Sequence, residues 1–535
     1  STGNFFKFWD MVDAFPRFHG GFIWDWNDKA LLAKNDQGVA YWAYGGDFGG
    51  DFNYDQPNED PQMCCNGIVG PDLEPHPGAF EVKKVQAPVG ISAGDLLKGV
   101  VTVWNKYHTL SLDHLAIYWE LTEDGQIVQS GDLPPMQLAP DERGKLEIPY
   151  QEPKDLQPGA AYHLNVRFKL IDDTLWAPGG HEVAWEQFKV PFTVPEQKPG
   201  LLSSLPDLTM RQDGDQLTIH GQDFQVIFNT AEGVIHKYRA YNQDLLLSGP
   251  RENYYRAPTD IDLLMGNPPA PIHKWRAAGL DRLERKLISF ESTQVCEKSV
   301  VVRVISRVCA PDQQEGFDSE IVYQVYGNGE LSIDNTVRID ERPDFIPSQI
   351  LEWIPEWMAS GNMWKYFVPR VGVELRLPDK FENLTWFGRG PHENYVDRKI
   401  GAAVSCYQST VNDQFTPYVY PSECGGKEDV RWLALSGKDG YGLMVVSQDK
   451  LHFDALRYSI QDLAEAKHLD ALIPRDEIML HLDGWHMGVG GDDGWWSQAH
   501  DEFVIYPGIY RYAFKLKPVS YTHLTLPTKC RKWGW

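Results

Sequence analysis

The chain has 535 residues, too many for one hydrophobic core, and this length predicts roughly three to four domains of ~150 residues. With 42% hydrophobic and 23% charged residues, its composition is typical of a folded globular protein and not of a disordered one. A formal net charge of −25 would repel phosphate backbones and anionic lipids. Nucleic acid and membrane surfaces are therefore not expected partners.

Cysteine usage and aromatic content narrow the class further. The seven cysteines show no CxxC or other metal-ligand spacing, which favours reduced thiols in a cytoplasmic protein. No apolar run approaches the ~18 residues that a membrane-spanning helix requires. Aromatic residues make up 13% of the chain. Their rings suit the C–H faces of sugars but also fill β-sandwich cores, so both explanations stay open. The start, STGNFFKFWD, lacks an initiator Met and a signal-peptide pattern, so we expect a longer parent protein.

Residues 1–87 have the pattern of an α/β region. Phe5, Trp9 and Val12 recur at helical spacing and predict a helix. The pair Gly20-Gly21 ends that pattern. The next five residues, FIWDW, predict a short buried strand, and a strand after a helix is the succession expected of an α/β unit.

Residues 88–195 predict a small β-sandwich. Apolar and polar residues alternate over 162–170, which predicts a strand with one buried face. Asp124-Gly125 lies between two apolar runs and predicts a hairpin turn. A linker containing Pro, Gly and Ser follows at 196–205.

Residues 206–517 predict a large antiparallel β-sandwich. Alternating segments continue with few helical patterns, and Gly327-Asn328-Gly329 separates two of them as a turn. Residues 518–535 do not continue the pattern and add several basic residues to an acidic chain. We interpret them as a non-native tail, with a native disordered tail as the alternative.

Four distinctive blocks follow one another along the chain. They are GGFIWDWNDKALL with CCNGIVGPDLEPHPGAFEVKKVQ, then YRAPTDID (255–262), then WFGRGPHENYVDR (386–398) with TPYVYPSECGGKEDVRW (416–432), and finally DGWHMGVGGDDGWW (483–496). Their order resembles that of the family-two β-galactosidases, and the resemblance covers residues 1–517. It implies the C-terminal piece of a (β/α)8 barrel, an immunoglobulin-like sandwich and a large galactose-mutarotase-like sandwich.

An incomplete barrel should leave apolar side chains with too few partners. The side chains concerned are Phe5, Phe8, Trp9, Phe22 and Trp24. The resemblance also implies a retaining mechanism that uses two carboxyl groups ~5–5.5 Å apart. Both would lie upstream of Ser1, so no catalytic residue is expected on this chain. The main magnesium ligands are expected upstream as well.

The resemblance implies several substrate-binding and metal-binding residues. Trp24 matches the Trp on the floor of the galactose pocket, and Asn66 matches a sodium ligand near the substrate, where an amide oxygen suits a hard cation. Met63 stands where the family has a Phe whose backbone carbonyl binds sodium. Asn58 matches a ligand of a second, peripheral magnesium. Trp495 matches the aromatic platform that stacks on the second sugar.

The function implied is hydrolysis of terminal β-D-galactosides such as lactose. The expected partners are neutral galactosides, the missing N-terminal part of the same enzyme, and further copies of the chain in a homotetramer. Two alternatives remain open. One is a partial subunit that complements a partner carrying the catalytic pair. The other is a non-catalytic carbohydrate-binding β-sandwich protein, which the aromatic content allows.

Overall fold

A computed structural model describes residues 2–48, 64–196, 201–264, 267, 269–346, 362–494 and 496–520. Within these ranges the chain is mostly β, with an α/β segment at its start and two β-sandwiches after it. The predicted fold class is therefore confirmed. No helix in the described part is long and apolar enough to cross a membrane.

The described part of the α/β segment holds two α-helices and one hairpin. Its elements are α1 (Phe5–Ala14), β1 (Leu31–Lys34), β2 (Ala40–Ala43) and α2 (Pro77–Val85). The predicted first helix is confirmed, and its Phe5 and Trp9 rings lie one turn apart with centroids 5.5 Å from each other. Helix α2 begins with proline at its first turn, where the missing N–H costs no hydrogen bond.

The predicted buried strand at FIWDW (22–26) is wrong. These residues have no strand conformation, and Phe22, Trp24 and Trp26 are exposed. The physical reason is pairing: in the described ranges the nearest ladder contact is a single parallel bridge from Asn27 to Val69. The expected lack of packing partners is confirmed for Phe8, Phe22 and Trp24, whereas Phe5 and Trp9 are half-buried.

The small sandwich consists of two sheets, in the orders β3-β4-β7 and β6-β5-β8-β9. Its strands are β3 (Val89–Ala93), β4 (Val100–Asn105), β5 (Leu115–Glu123), β6 (Gln126–Leu133), β7 (Arg143–Glu147), β8 (Tyr162–Leu170) and β9 (Glu182–Lys189). The predicted hairpin turn is confirmed. Asp124 and Gly125 both adopt positive φ, 44° and 81°, as the tight turn between β5 and β6 requires.

Strand β8 was expected to bury one face, and the structure buries both. His163, Asn165 and Arg167 on the supposedly exposed face are 6–9% exposed. That face lies towards the large sandwich: the Gln187 amide donates to the Val404 carbonyl and accepts from the Val404 N–H, both at 2.8 Å. Docking between the two sandwiches therefore covers a face whose sequence is typical of solvent exposure.

The large sandwich is an antiparallel system built on one continuous hydrophobic core. Its strands are β10 (Thr209–Asp213), β11 (Gln216–His220), β12 (Phe224–Asn229), β13 (Val234–Ala240), β14 (Gln243–Leu246), β15 (Ser248–Asn253), β16 (Glu284–Cys296), β17 (Ser299–Cys309), β18 (Phe317–Tyr326), β19 (Leu331–Ile339), β20 (Arg370–Pro378), β21 (Asn383–Gly390), β22 (Ala403–Thr410), β23 (Lys427–Ser436), β24 (Tyr441–Leu456), β25 (Glu477–His486) and β26 (Gly508–Ser520). Short helices α3 (Asp260–Leu263), α4 (Pro271–Ala278) and α5 (Ile460–Glu465) connect them.

Two features of this sandwich bear on the sequence predictions. The turn at 327–329 joins β18 and β19, which both alternate between buried and half-exposed positions as expected. Strand β26 continues to Ser520, where Val519 pairs with Gly442. The first three residues of the predicted tail therefore belong to the sheet, and residues 521–535 lie outside the described ranges.

Candidate functional site

A cavity of about 460 Å³ lies between the α/β segment and the large sandwich, and we call it the interface cavity. The α/β segment contributes mainly aromatic side chains to its lining: Phe5, Trp9, Phe22 and Trp24. The large sandwich contributes polar and charged side chains: Glu393, Tyr395, Arg398, Tyr418 and Glu423. Apolar walls combined with a few convergent polar groups are typical of a small-molecule site.

Polar contacts hold the α/β segment against the sandwich. The Lys7 ammonium pairs with Glu502 at one end of the segment. At the hairpin end, Asp47 lies 2.8 Å from the His468 ring. The Tyr44 hydroxyl donates to the carbonyl of Lys467 at 2.6 Å. These contacts at both ends fix the aromatic wall relative to the polar side of the cavity.

Trp24 and Asn66, both predicted substrate-site residues, line the same cavity. Trp24 is 76% exposed, so its ring face is available to a ligand. The Asn66 amide oxygen accepts a hydrogen bond from the Lys29 ammonium at 2.9 Å. The same ammonium pairs with Asp25 at 2.6 Å and lies 5.9 Å from the Trp24 ring centroid. The oxygen that was expected to bind sodium therefore already accepts a hydrogen bond from the Lys29 ammonium.

The described residues do not by themselves form a sodium site. A hard cation takes several oxygen ligands. In the described part of the chain only the Asn66 side chain matches a predicted ligand, and Lys29 engages its oxygen. Met63 and Asn58, the other predicted metal ligands, lie outside the described residues.

Trp495 also lies outside the described residues. The three residues that precede it in the sequence, Asp492, Asp493 and Gly494, line the interface cavity. Asp493 accepts from the Trp496 N–H at 2.7 Å and from the Ser497 hydroxyl at 2.9 Å. Asp493 therefore fixes the turn of this loop through hydrogen bonds.

Sequence reasoning missed a buried carboxyl beside the cavity, Asp28. Its Oδ1 accepts the Gly67 N–H at 2.7 Å, and its Oδ2 lies 3.4 Å from the His76 ring. Burial raises the pKa of Asp28 to about 6, although the Gly67 hydrogen bond opposes that shift. Burial likewise lowers the pKa of His76 to about 4. The only sequence signal was an acidic residue inside the aromatic run WDWND.

Glu393 is the centre of the polar side of the cavity. Its carboxylate accepts from Arg398 and the Tyr418 hydroxyl at 2.5 Å, and from the Thr416 hydroxyl and the Gly425 N–H at 2.8 Å. Burial acts to raise the pKa of Glu393, but Arg398 and these donors outweigh it and hold the pKa below its usual value. With its acceptor capacity used, Glu393 positions the loop at 416–425.

A second ionic network lies beneath the cavity, around the fully buried Arg370. The guanidinium donates to Asp483 at 2.6 Å and to Asp454 at 2.9 Å, and lies 3.9 Å from Glu423. Asp454 also accepts from the His481 ring at 2.7 Å. Burial acts to lower the pKa of His481, but its carboxylate neighbours raise it to about 10. His481 is therefore a cation, and two cations balance Asp454 and Asp483.

Comparison with known proteins assigns the whole described architecture to one group. The beta galactosidase small chain model matches residues 220–516, beta-galactosidase domain 4 matches 101–191, and the glycosyl hydrolases family 2 TIM barrel domain matches 1–91. Beta-galactosidases of Priestia megaterium and Photobacterium profundum are each 34% identical to it over 97% of this chain.

The alignments cover 46% and 47% of those two relatives, so the chain spans about half the length of the curated relatives it matches. Among solved structures, a galactose 1-epimerase from Lactobacillus acidophilus NCFM aligns over 59% of this chain and 99% of its own. Its TM-score of 0.29 and sequence identity of 10% are too low to bear on fold or function.

Proposed function

The chain belongs to the β-galactosidase small-chain family of family-two glycosyl hydrolases, and on this premise we propose that it is the sugar-recognising half of a retaining β-galactosidase. The complete enzyme would hydrolyse terminal non-reducing β-D-galactosides such as lactose. Its nucleophile and its acid/base carboxyl would belong to the part of the relatives that this chain does not span.

The observation that supports this proposal is the composition of the interface cavity. Galactose has an apolar C–H face and a rim of hydroxyl groups. The exposed Trp24 ring offers a flat surface for the former, and Tyr395 and Asp28 offer polar atoms for the latter. Since the net charge of the chain is −25, a neutral sugar suits it better than an anionic ligand.

The exposed apolar side chains of the α/β segment support the proposed partner, the rest of the barrel. Phe22 is fully exposed, Trp26 is 62% exposed and Leu32 is 67% exposed. Exposed apolar groups concentrated on one segment mark a surface that another structure covers. We place the upstream barrel strands there, and propose that the complete enzyme assembles as a homotetramer.

The proposed enzyme binds sodium and magnesium only when its barrel is complete. Asn66 would contribute one oxygen to sodium once upstream ligands surround the ion and Lys29 turns away, and magnesium would bind mainly upstream. Free thiols at Cys64, Cys65, Cys296, Cys309 and Cys424 support a cytoplasmic location, whereas Cys406 is disulfide-bonded, contrary to the expectation of reduced thiols throughout.

Galactose binding by the purified chain tests the sugar-recognition part of the proposal. In saturation-transfer NMR we expect transfer from the protein to the ring protons of galactose, since these lie against Trp24. Trp24→Ala should abolish the transfer. Trp176→Ala removes a similarly exposed Trp, 65% against 76%, from the small sandwich and should leave it unchanged. Equal transfer in the wild type and the Trp24 variant would contradict the proposed pocket.

A further inference from the structure

Three side chains beneath the interface cavity bring metal-binding atoms together. Glu423, from the loop before β23, lies beside His452 of β24 and His486 at the end of β25. Their ligand atoms all lie within 4.8 Å of one another. All three side chains are buried, with exposures of 5%, 3% and 5%. We propose that Glu423, His452 and His486 bind a Zn²⁺ ion inside the large sandwich.

The hydrogen bonds of the two imidazoles fix their tautomers. The Nδ1 atom of His486 lies 2.9 Å from the Met487 carbonyl, and that of His452 lies 2.9 Å from the Glu428 carboxylate. Both partners accept, so each Nδ1 carries a proton and Nε2 is the nitrogen left to bind a metal. A metal-bound histidine has this arrangement, in which the second nitrogen donates to a carbonyl or a carboxylate.

Both Nε2 atoms are buried and have no hydrogen-bond partner among the described residues. His486 Nε2 lies 3.6 Å from Glu423 Oε1, beyond hydrogen-bond distance. A buried polar atom without a partner destabilises the folded state, because it has given up its hydrogen bonds to water. One metal cation would satisfy both Nε2 atoms, because it would accept electron pairs from His452, His486 and the neighbouring Glu423 carboxylate.

The local charge also favours a cation. Arg370 and His481 lie 2.6–2.9 Å from Asp454 and Asp483, whereas the Glu423 carboxylate lies 3.9 Å from Arg370 and has no such close ion pair among the described residues.

The ligand set specifies the class of metal and its means of entry. Two imidazoles and one carboxylate suit Zn²⁺, with a fourth position left for water or another ligand. Glu423 also lines the interface cavity, which gives the ion a path from solvent. The two rings are nearly parallel, with centroids 4.3 Å apart, so one ring must turn about its Cβ–Cγ bond to bring both lone pairs onto one ion.

Gly426 leaves space for the His452 ring. A Cβ atom at this position would lie 2.5 Å from His452 Cε1 and 2.8 Å from its Nε2. Any larger residue would push the His452 ring away from the cluster, so the loop is shaped around the ligand edge of this imidazole.

The test is zinc titration of the chelator-treated full chain in a Cys64→Ser/Cys65→Ser background, which removes the adjacent thiols as competing ligands. We expect one Zn²⁺ per chain and a higher Tm with zinc. His452→Gln/His486→Gln should raise the Kd at least about 100-fold, and Glu428→Gln, which keeps all three ligands, about 10-fold or more. His236→Gln, a change at an exposed histidine, should have no effect.

Cobalt provides a second readout in the same Cys64→Ser/Cys65→Ser background. Co²⁺ bound to imidazole and carboxylate should give visible d–d absorption that zinc abolishes. Absence of stoichiometric zinc binding would overturn the proposal. So would unchanged affinity in the double histidine variant, or a cobalt spectrum dominated by thiolate charge transfer.

Discussion

The Glu393 cluster predicts a large loss of stability from a change of one atom. In Glu393→Gln the carboxylate loses its charge while Arg398 stays, and the side chains of this pair are 1% and 7% exposed. The new NH₂ group also faces a donor, since all four partners of this carboxylate donate. Leaving a buried charge without its partner costs about 3–5 kcal/mol. We expect a destabilisation of that size.

Urea unfolding followed by tryptophan fluorescence measures this effect, because Trp275, Trp364 and Trp386 are buried in the same sandwich. With an m-value of about 3 kcal/mol/M, the midpoint should fall by at least ~1 M. Glu382→Gln is the matched control: its pair with Arg457 is partly exposed, so its loss should cost less than about 1 kcal/mol.

A double variant separates charge from packing. Adding Arg398→Met to Glu393→Gln removes the orphaned cation and should recover part of the stability, since replacing both members of a buried pair is often nearly neutral. A midpoint for Glu393→Gln no lower than that of the Glu382 control would refute the electrostatic reasoning.

Three further predictions concern stability and order. The pKa of His481 is about 10 in the folded state and ~6.5 in the unfolded state, so its contribution to the free energy of unfolding is complete below pH ~6.5 and is lost as the pH rises to about 10. In urea titrations, His481→Gln should abolish this loss of stability at alkaline pH. The control His220→Gln, a change at an exposed histidine, should retain it. Gly125→Ala would place a Cβ 2.4 Å from the Cys406 backbone nitrogen, at the contact between the two sandwiches. In thermal unfolding it should be more destabilising than Gly180→Ala by about 1–3 kcal/mol. Gly180 is the matched control because its φ is also positive but the space around its Cβ position is open. Limited trypsin digestion should cleave 1–87 before 206–517, and the reverse order would contradict the packing described.

Local chemistry made parts of the fold predictable. The turn at Asp124-Gly125 and the alternation around 327–329 depend on neighbouring residues alone, and both predictions hold. Helix α1 likewise follows from its apolar spacing. The strand prediction for residues 22–26 failed because a strand needs neighbours that come from elsewhere in the fold.

The candidate site also combines residues that the sequence predicted with features that depend on contacts between distant parts of the chain. Trp24 and Asn66 were found through the resemblance, and they line one cavity. The polar face of β8 was wrongly predicted to be exposed, because the part of the large sandwich that covers it, near Val404, is remote in sequence. No short motif joins Glu423, His452 and His486, since only the ladder between β24 and β25 and the preceding loop bring them together.

Turnover of a nitrophenyl β-galactoside tests the central claim most directly. The chain should be fused in frame behind the N-terminal half of the Priestia megaterium β-galactosidase and compared with the chain alone. The account predicts hydrolysis by the fusion and none by the isolated chain, because the two catalytic carboxyl groups would be supplied by the added half. Appreciable hydrolysis by the purified chain alone would contradict the account.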